Sequence, residues 1–152
     1  MERLVAEAGA DRVGVRFSPN GETQGCDDSN PAAVFVPAAA HLQSLGIAFL
    51  ELREIGSNGT FGSTDVPKLS PQIRKAFTGP LILNQDYDAA SAQADLDSGV
   101  ADAIAFGRPF LANPDLVERF RVGADLNTPN VKTFYTPGPE GYIDYPVLAS
   151  AA

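Results

Sequence analysis

LILNQDYDAASAQADLDSGVADAIAFG, residues 81–107, sets two short apolar runs on either side of one helical period. Leu81 to Asn84 and Asp102 to Phe106 read as strands. Between them Asp88 is placed to cap a helix that runs through Ala92 and Leu96, and Gly99 suits the left-handed position just past its end. A strand, a helix and a strand in that order make a βαβ unit, which argues for a parallel sheet rather than for hairpins.

The same grammar extends in both directions. Upstream, Arg12 to Ser18 (RVGVRFS) and Ile47 to Leu52 (IAFLEL) are two further strands. Between them a helix reaches Leu45, with Phe35, Ala38, Ala39, Leu42 and Leu45 on one face and Gly46 at its end. Asn30 and Pro31 offer one start for this helix. Pro37 cannot donate a backbone hydrogen bond, which offers a later start there. The loop after the second strand, REIGSNGTFGSTDVPK, is long, polar and glycine-rich, as binding loops tend to be. Ser70 then caps a helix with Pro71 in its first turn, and Leu69, Ile73 and Phe77 form its buried stripe.

Downstream of the fourth strand, Gly107 and Arg108 lead to a helix expected to begin at Asn113, with Pro114 first and Leu116, Val117 and Phe120 facing inward. Residues 124–152 are rich in Pro, Gly and Tyr without a sustained period, and read as an ordered tail. MERLVAEAGA at the start reads as the last turns of a helix. The 152 residues with 44% hydrophobic content suit a single folded unit, here a partial domain spanning 1–152.

The net charge of −8 argues against a nucleic-acid partner, whose phosphates call for a basic surface. No apolar run is long enough for a membrane span, and the first residues lack the regions of a signal peptide, so the cytoplasm is the expected location. One cysteine, Cys26, permits no internal disulfide, and a single histidine, His41, offers no zinc constellation. His41 reads as a surface residue and Cys26 as a loop residue with no base beside it.

Four consecutive βα units are half of the eight in a closed (β/α)8 barrel of roughly 250 residues. A small open doubly wound sheet is the alternative, but RFSPNGETQG after the first strand lacks the glycine fingerprint of a dinucleotide site. Strand alternation sends Val13, Val15 and Phe17 toward the helices, and Gly14, Arg16 and Ser18 to the other face. Arg16 then stands near the C-terminal end of the sheet, where parallel α/β folds place their sites, and needs either an anionic ligand or an internal ion pair with Glu51. Gly107 lets a ligand approach the backbone, and Arg108 offers a planar fork suited to phosphate, although a surface arginine leading into a helix reads the same way. Backbone N–H groups of Gln85 and Asp86 can complete such a cradle.

RVGVRFSP, GIAFLEL, NQDYDAASAQADLDSGVADAIAFGRPFLANPDLVERF and TFYTPGPEGYIDYP, in this order and spacing, resemble the C-terminal half of the Old Yellow Enzyme family, the FMN-dependent ene reductases. The resemblance implies an α/β fold in which the four βα units are strands five to eight of a TIM (β/α)8 barrel. It implies that Arg16 contacts the pyrimidine end of the flavin, where negative charge gathers on reduction. It matches Gly107 and Arg108 to the phosphate-binding pair after the last strand, and Gln85 and Asp86 to the pair whose backbone amides also hold the phosphate. The family more often has glycine where Gln85 stands.

Tyr135 matches an aromatic at the substrate end of the pocket, with packing of the tail as its alternative role, and Gln24 matches a pocket-lining glutamine. The family passes hydride from NADPH or NADH to FMN and on to an α,β-unsaturated carbonyl or nitro compound. Its proton-donating tyrosine and its ligands for the substrate carbonyl come from an N-terminal half that has no counterpart in these residues. The resemblance therefore implies a chain that is inactive alone, catalytic residues supplied from elsewhere, and a protein partner: a complementary half-barrel, or a second copy of the chain. A non-catalytic half-barrel that associates with itself and binds a phosphate-bearing ligand is the competing expectation.

Overall fold

Short strands alternate with helices as the apolar periods require. The structure is a computed structural model that describes residues 1–21, 28–56, 59–60 and 62–149. Helix α1 (Glu2–Ala8) and a 3-10 turn at Ala10–Arg12 lead into β1 (Gly14–Phe17). Then follow α2 (Pro31–Leu45), β2 (Phe49–Arg53), α3 (Ser70–Ala76), β3 (Leu81–Asn84), α4 (Ala89–Asp97) and β4 (Ala103–Ala105). After β4 come α5 (Arg108–Ala112) and α6 (Leu116–Val122). No helix among the described residues is long and apolar enough to cross a membrane.

All four strands are parallel and lie in the order β1-β2-β3-β4, so each helical connection returns the chain to the next strand position. The register aligns Arg16 with Glu51, Glu51 with Ile82, and Arg53 with Asn84. Leu50, Leu52, Leu81 and Leu83 are buried and form the core with Ala39 and Leu42 of α2, Ile73 of α3, Phe77 and Ala92. On the opposite parity of the strands Gly14, Arg16, Phe49 and Ala103 are exposed, and Glu51, Arg53, Ile82 and Asn84 are half-buried. The alternation read for β1 is thus present, and the polar side chains of the sheet share one open face.

Capping explains where the helices begin. The carboxylate of Asp88 accepts the Ser91 N–H at 2.8 Å while the Ser91 hydroxyl accepts the Asp88 N–H at 3.1 Å, a reciprocal box that fixes the start of α4. Gly99 follows with φ +73°, the left-handed conformation anticipated for it. Helix α2 starts at Pro31 with Asn30 as its cap, and runs through Pro37 rather than starting there. Ala33 and Pro37 are both exposed, so water can satisfy the carbonyl that Pro37 leaves without a donor.

Two helix starts differ from the expectation. Ser70 is the first residue of α3 and not its cap, because the N–H groups of Leu69 and Ser70 both donate to the buried carboxylate of Glu54. After β4 the helix begins at Arg108, breaks at Asn113-Pro114, and resumes at Leu116. Asn113 is buried, with its side chain donating to Pro109 O and accepting from Asn127 N, so it works as a polar bracket inside the corner. Val117 is 70% exposed, whereas Arg119 is buried in its place.

The chain groups into two compact units, Met1–Ala105 and Phe106–Ala152. In the first, Asp102 ties β3 to α3, accepting the Leu81 N–H at 2.8 Å and pairing with Arg74 at 2.6 Å. In the second, Arg119 holds the tail. Its guanidinium donates to Asp115, to the carbonyl of Asp125 and to the carbonyl of Pro146. Asp115 in turn accepts the Leu148 N–H, so polar contacts fasten the tail read from composition.

Candidate functional site

The open face of the sheet carries a polar ladder at the C-terminal ends of β1, β2 and β3. Arg16 Nε lies 3.4 Å from Glu51 Oε1, and the same carboxylate oxygen accepts the side-chain N–H of Asn84 at 2.8 Å. Three neighbouring strands contribute one residue each: parallel register brings Arg16 and Glu51 level, and Asn84, two residues beyond Ile82 at the Glu51 level, reaches back to the same carboxylate from the same face. The ion pair with Glu51 drawn from composition is therefore present. It leaves 51% of the Arg16 side chain exposed, so the guanidinium remains accessible from the open face.

One residue further along, the backbone leaves its usual range. Gln85 has φ +98° and Asp86 φ +58°, a region that favours glycine and that is costly for a residue bearing Cβ. Side chains hold the pair in place. Arg53 Nε donates to Gln85 Oε1 at 3.0 Å, and Gln85 Nε2 donates to Asp86 Oδ2 at 2.8 Å. Asp86 also accepts the Thr60 N–H at 2.9 Å and the Thr60 hydroxyl at 2.7 Å. Strain at two consecutive residues, fixed by a chain of side-chain bonds, is the kind of backbone feature that clusters where ligands are gripped.

The loop after β2 is pinned beside this turn. Asn20, buried after β1, donates to the carbonyls of Ile55 and Val66 and accepts the Ile55 N–H. Glu54 holds the other end through Leu69 and Ser70, and its second oxygen, Oε2, has no hydrogen-bond partner among the described residues. Burial pushes the Glu54 carboxyl above its ordinary value, against the lowering effect of the Ser70 and Leu69 donors and of Lys68. Burial, with Asp95 as hydrogen-bond acceptor and nearby charge, likewise raises the Tyr87 phenol, which keeps it neutral.

Of the residues singled out from sequence, Arg16, Gln85 and Asp86 stand in the first unit, at the C-terminal ends of β1 and β3. Gly107 and Arg108 open the second unit. Gly107 caps α5, and a Cβ built on it would meet nothing within 4 Å, so its backbone faces open space. Tyr135 is 91% exposed, which does not fit packing of the tail over it. Gln24 and Cys26 lie outside the described residues. His41 is exposed, 3.6 Å from Glu2.

Glu51 was named from the sequence as an ion-pair partner for Arg16, whereas Asn20, Arg53, Glu54, Thr60 and Asn84 were not marked by any sequence pattern. For Arg53 a signal existed: it shares strand parity with Glu51, but β2 extends one residue beyond the predicted end at Leu52.

The sequence profile of the NADH:flavin oxidoreductase / NADH oxidase family matches residues 1–127. This chain belongs to that family. The Old Yellow Enzyme homologue from Zymomonas mobilis superposes with a TM-score of 0.93 at 59% identity, covering 97% of this chain and 41% of that one. Morphinone reductase gives a TM-score of 0.85 at 44% identity over 95% of this chain and 38% of its own. A 12-oxophytodienoate reductase-like protein from Solanum lycopersicum is 41% identical over 100% of this chain and 40% of its length. The chain spans about two fifths of the relatives it matches. This family member therefore carries the polar ladder of β1, β2 and β3 and the Gln85-Asp86 turn within a part of the family's length.

Proposed function

We propose that this chain is the C-terminal half of a (β/α)8 barrel belonging to an FMN-dependent ene reductase, with residues 1–152 forming a single partial domain. The chemistry FMN supplies when bound is relay of hydride from NADPH or NADH to an α,β-unsaturated carbonyl or nitro compound. The observation that carries the reading is the positive-φ pair Gln85-Asp86 at the end of β3, held by side chains and standing where the resemblance expects backbone amides to grip phosphate.

Within each unit, the residues present suit the cofactor by their chemistry. Gly107 offers an open backbone and Arg108 a cation for the phosphate, while Arg16 offers a cation on the open face for the edge of the flavin that gathers negative charge. Tyr135 and Gln24 are proposed to line the substrate end. The proton donor and the ligands of the substrate carbonyl belong to the N-terminal half, so by itself the chain binds and orients but does not turn over. A cytoplasmic location is part of the same reading.

A protein partner completes this picture: the complementary half, or a second copy. The unpaired outer edges of β1 and β4 among the described strands favour such a partner, since bare parallel edges present rows of backbone donors and acceptors. Titration of the purified chain with FMN tests cofactor binding by flavin absorbance and fluorescence; no change at saturating FMN overturns it. Adding a separately produced N-terminal half tests the rest. Recovery of NADPH-dependent alkene reduction supports the split enzyme, and its absence with FMN bound leaves the non-catalytic, phosphate-binding half-barrel as the better reading.

A further inference from the structure

We infer that Arg53 is an additional phosphate-binding residue, held in place by Gln85 so that its outer guanidinium edge faces the phosphate monoester gripped at the Gln85-Asp86 turn. The inference rests on the FMN-binding reading above and extends it to a residue that the sequence resemblance does not assign.

Three observations carry it. Arg53 is the last residue of β2, on the same open face as Arg16 and Glu51, and pairs in register with Asn84, the residue just before the turn. Its Nε is committed to Gln85 Oε1 at 3.0 Å, and among the described residues neither Nη1 nor Nη2 has a hydrogen-bond partner or a carboxylate within salt-bridge distance. The side chain is only part-buried, so a cation there is reachable by a ligand on the open face. A guanidinium tethered through Nε loses less freedom on meeting an anion than a loose one does, and its two Nη donors match the spacing of two phosphate oxygens.

The tether also accounts for Gln85. A glycine there would adopt φ +98° without strain but would leave Arg53 without its acceptor. With glutamine, one side-chain amide holds Arg53 through its oxygen and Asp86 through its nitrogen, and Asp86 is anchored onward to Thr60. The bonds that support the strained turn are thus the same bonds that aim the cation.

The test compares FMN with riboflavin, which lacks the phosphate, on the full chain and on Arg53→Met and Arg53→Lys. The unsubstituted chain is expected to bind FMN more tightly than riboflavin. Arg53→Met is expected to raise the FMN Kd about tenfold to a hundredfold with riboflavin binding unchanged, and Arg53→Lys to fall between. An FMN preference unaltered in Arg53→Met overturns this inference alone. No preference for FMN in the unsubstituted chain overturns the proposed function and this inference with it. NADPH is the control for the source of the phosphate: displacement of FMN by equimolar NADPH overturns assignment of the site to the flavin.

Discussion

The side chain of Asn20 meets the backbone of Ile55 as a neighbouring strand would, donating to its carbonyl at 2.9 Å and accepting its N–H at 2.9 Å. Both residues are buried, so water cannot replace either bond. Asn20→Ala leaves two buried backbone groups without partners, and is expected to cost about 2 to 4 kcal/mol. Urea unfolding followed by circular dichroism checks this through a lowered midpoint with an unchanged slope. A loss below about 0.5 kcal/mol would mean that the loop opens to water there at little cost.

Glu54 and Asp102 respond to pH with opposite sign. The folded-state pKa of Glu54 is raised above 4.5, chiefly by burial. Its contribution to stability is full below pH 4.5 and is lost as pH rises through the raised value. The pKa of Asp102 is lowered below 3.8, first by the Leu81 N–H and then by Arg74. Its contribution is present above pH 3.8 and is lost as pH falls through the lowered value. Glu54→Gln is therefore expected to gain stability relative to the unsubstituted chain as pH rises from 4.5, and Asp102→Asn to lose its disadvantage at low pH. Unfolding curves between acid and neutral pH decide both, and parallel pH profiles for variant and parent would refute them.

Arg119 joins α6 to the tail through a guanidinium whose side chain is only 6% exposed. Arg119→Met is expected to destabilise the second unit by about 3 to 5 kcal/mol, because it strands the partners of a buried charge. Limited proteolysis should then cut after Gly123 sooner than in the parent. Arg119→Lys cannot span Asp115, Asp125 and Pro146 together with one ammonium and is expected to rescue only part of the protection. Equal cleavage rates in all three proteins would show that other contacts fasten the tail.

Arg16 and Glu51 are expected to move a bound flavin's potential in opposite directions. In its proposed place at the flavin the Arg16 cation would favour the anionic reduced form, so Arg16→Ala is expected to lower the reduction potential. Glu51, 3.4 Å away, offsets part of that charge, so Glu51→Gln raises it. Reductive titration against a reference dye measures the shift in the FMN-loaded protein. The same sign for both variants would remove Arg16 from its proposed place at the flavin.

Much of the fold was legible. Strand β3 begins and ends where LILN does, Asp88 caps α4, and Leu69, Ile73 and Phe77 are buried at the spacing of a helical stripe. These features are local: capping and periodicity are written within a few residues. The failures were also local in appearance but tertiary in cause. Ser70 looks like a cap, yet a carboxylate sixteen residues earlier, Glu54, takes that role. Val117 continues an apolar period, yet the buried position falls to Arg119 because the returning tail supplies its carbonyl acceptors.

The site divides in the same way. The open-face position of Arg16 was readable from strand parity, and the place of Gln85-Asp86 directly after β3 from the end of the LILN run. Parity with Glu51 could have placed Arg53 on the same face, but its bond to a residue thirty-two positions away could not be read.

The sequence by itself determined the order of strands and helices, the faces they bury and the family, because periodicity, caps and ordered motifs are properties of neighbours along the chain. Only the tertiary structure decided that Glu51 pairs with Arg16, that Gln85 and Asp86 take positive φ, and that Arg53 is aimed by Gln85. Those outcomes depend on parallel register, which sets side chains from different strands level with one another, and on buried polar groups finding partners wherever the fold brings them.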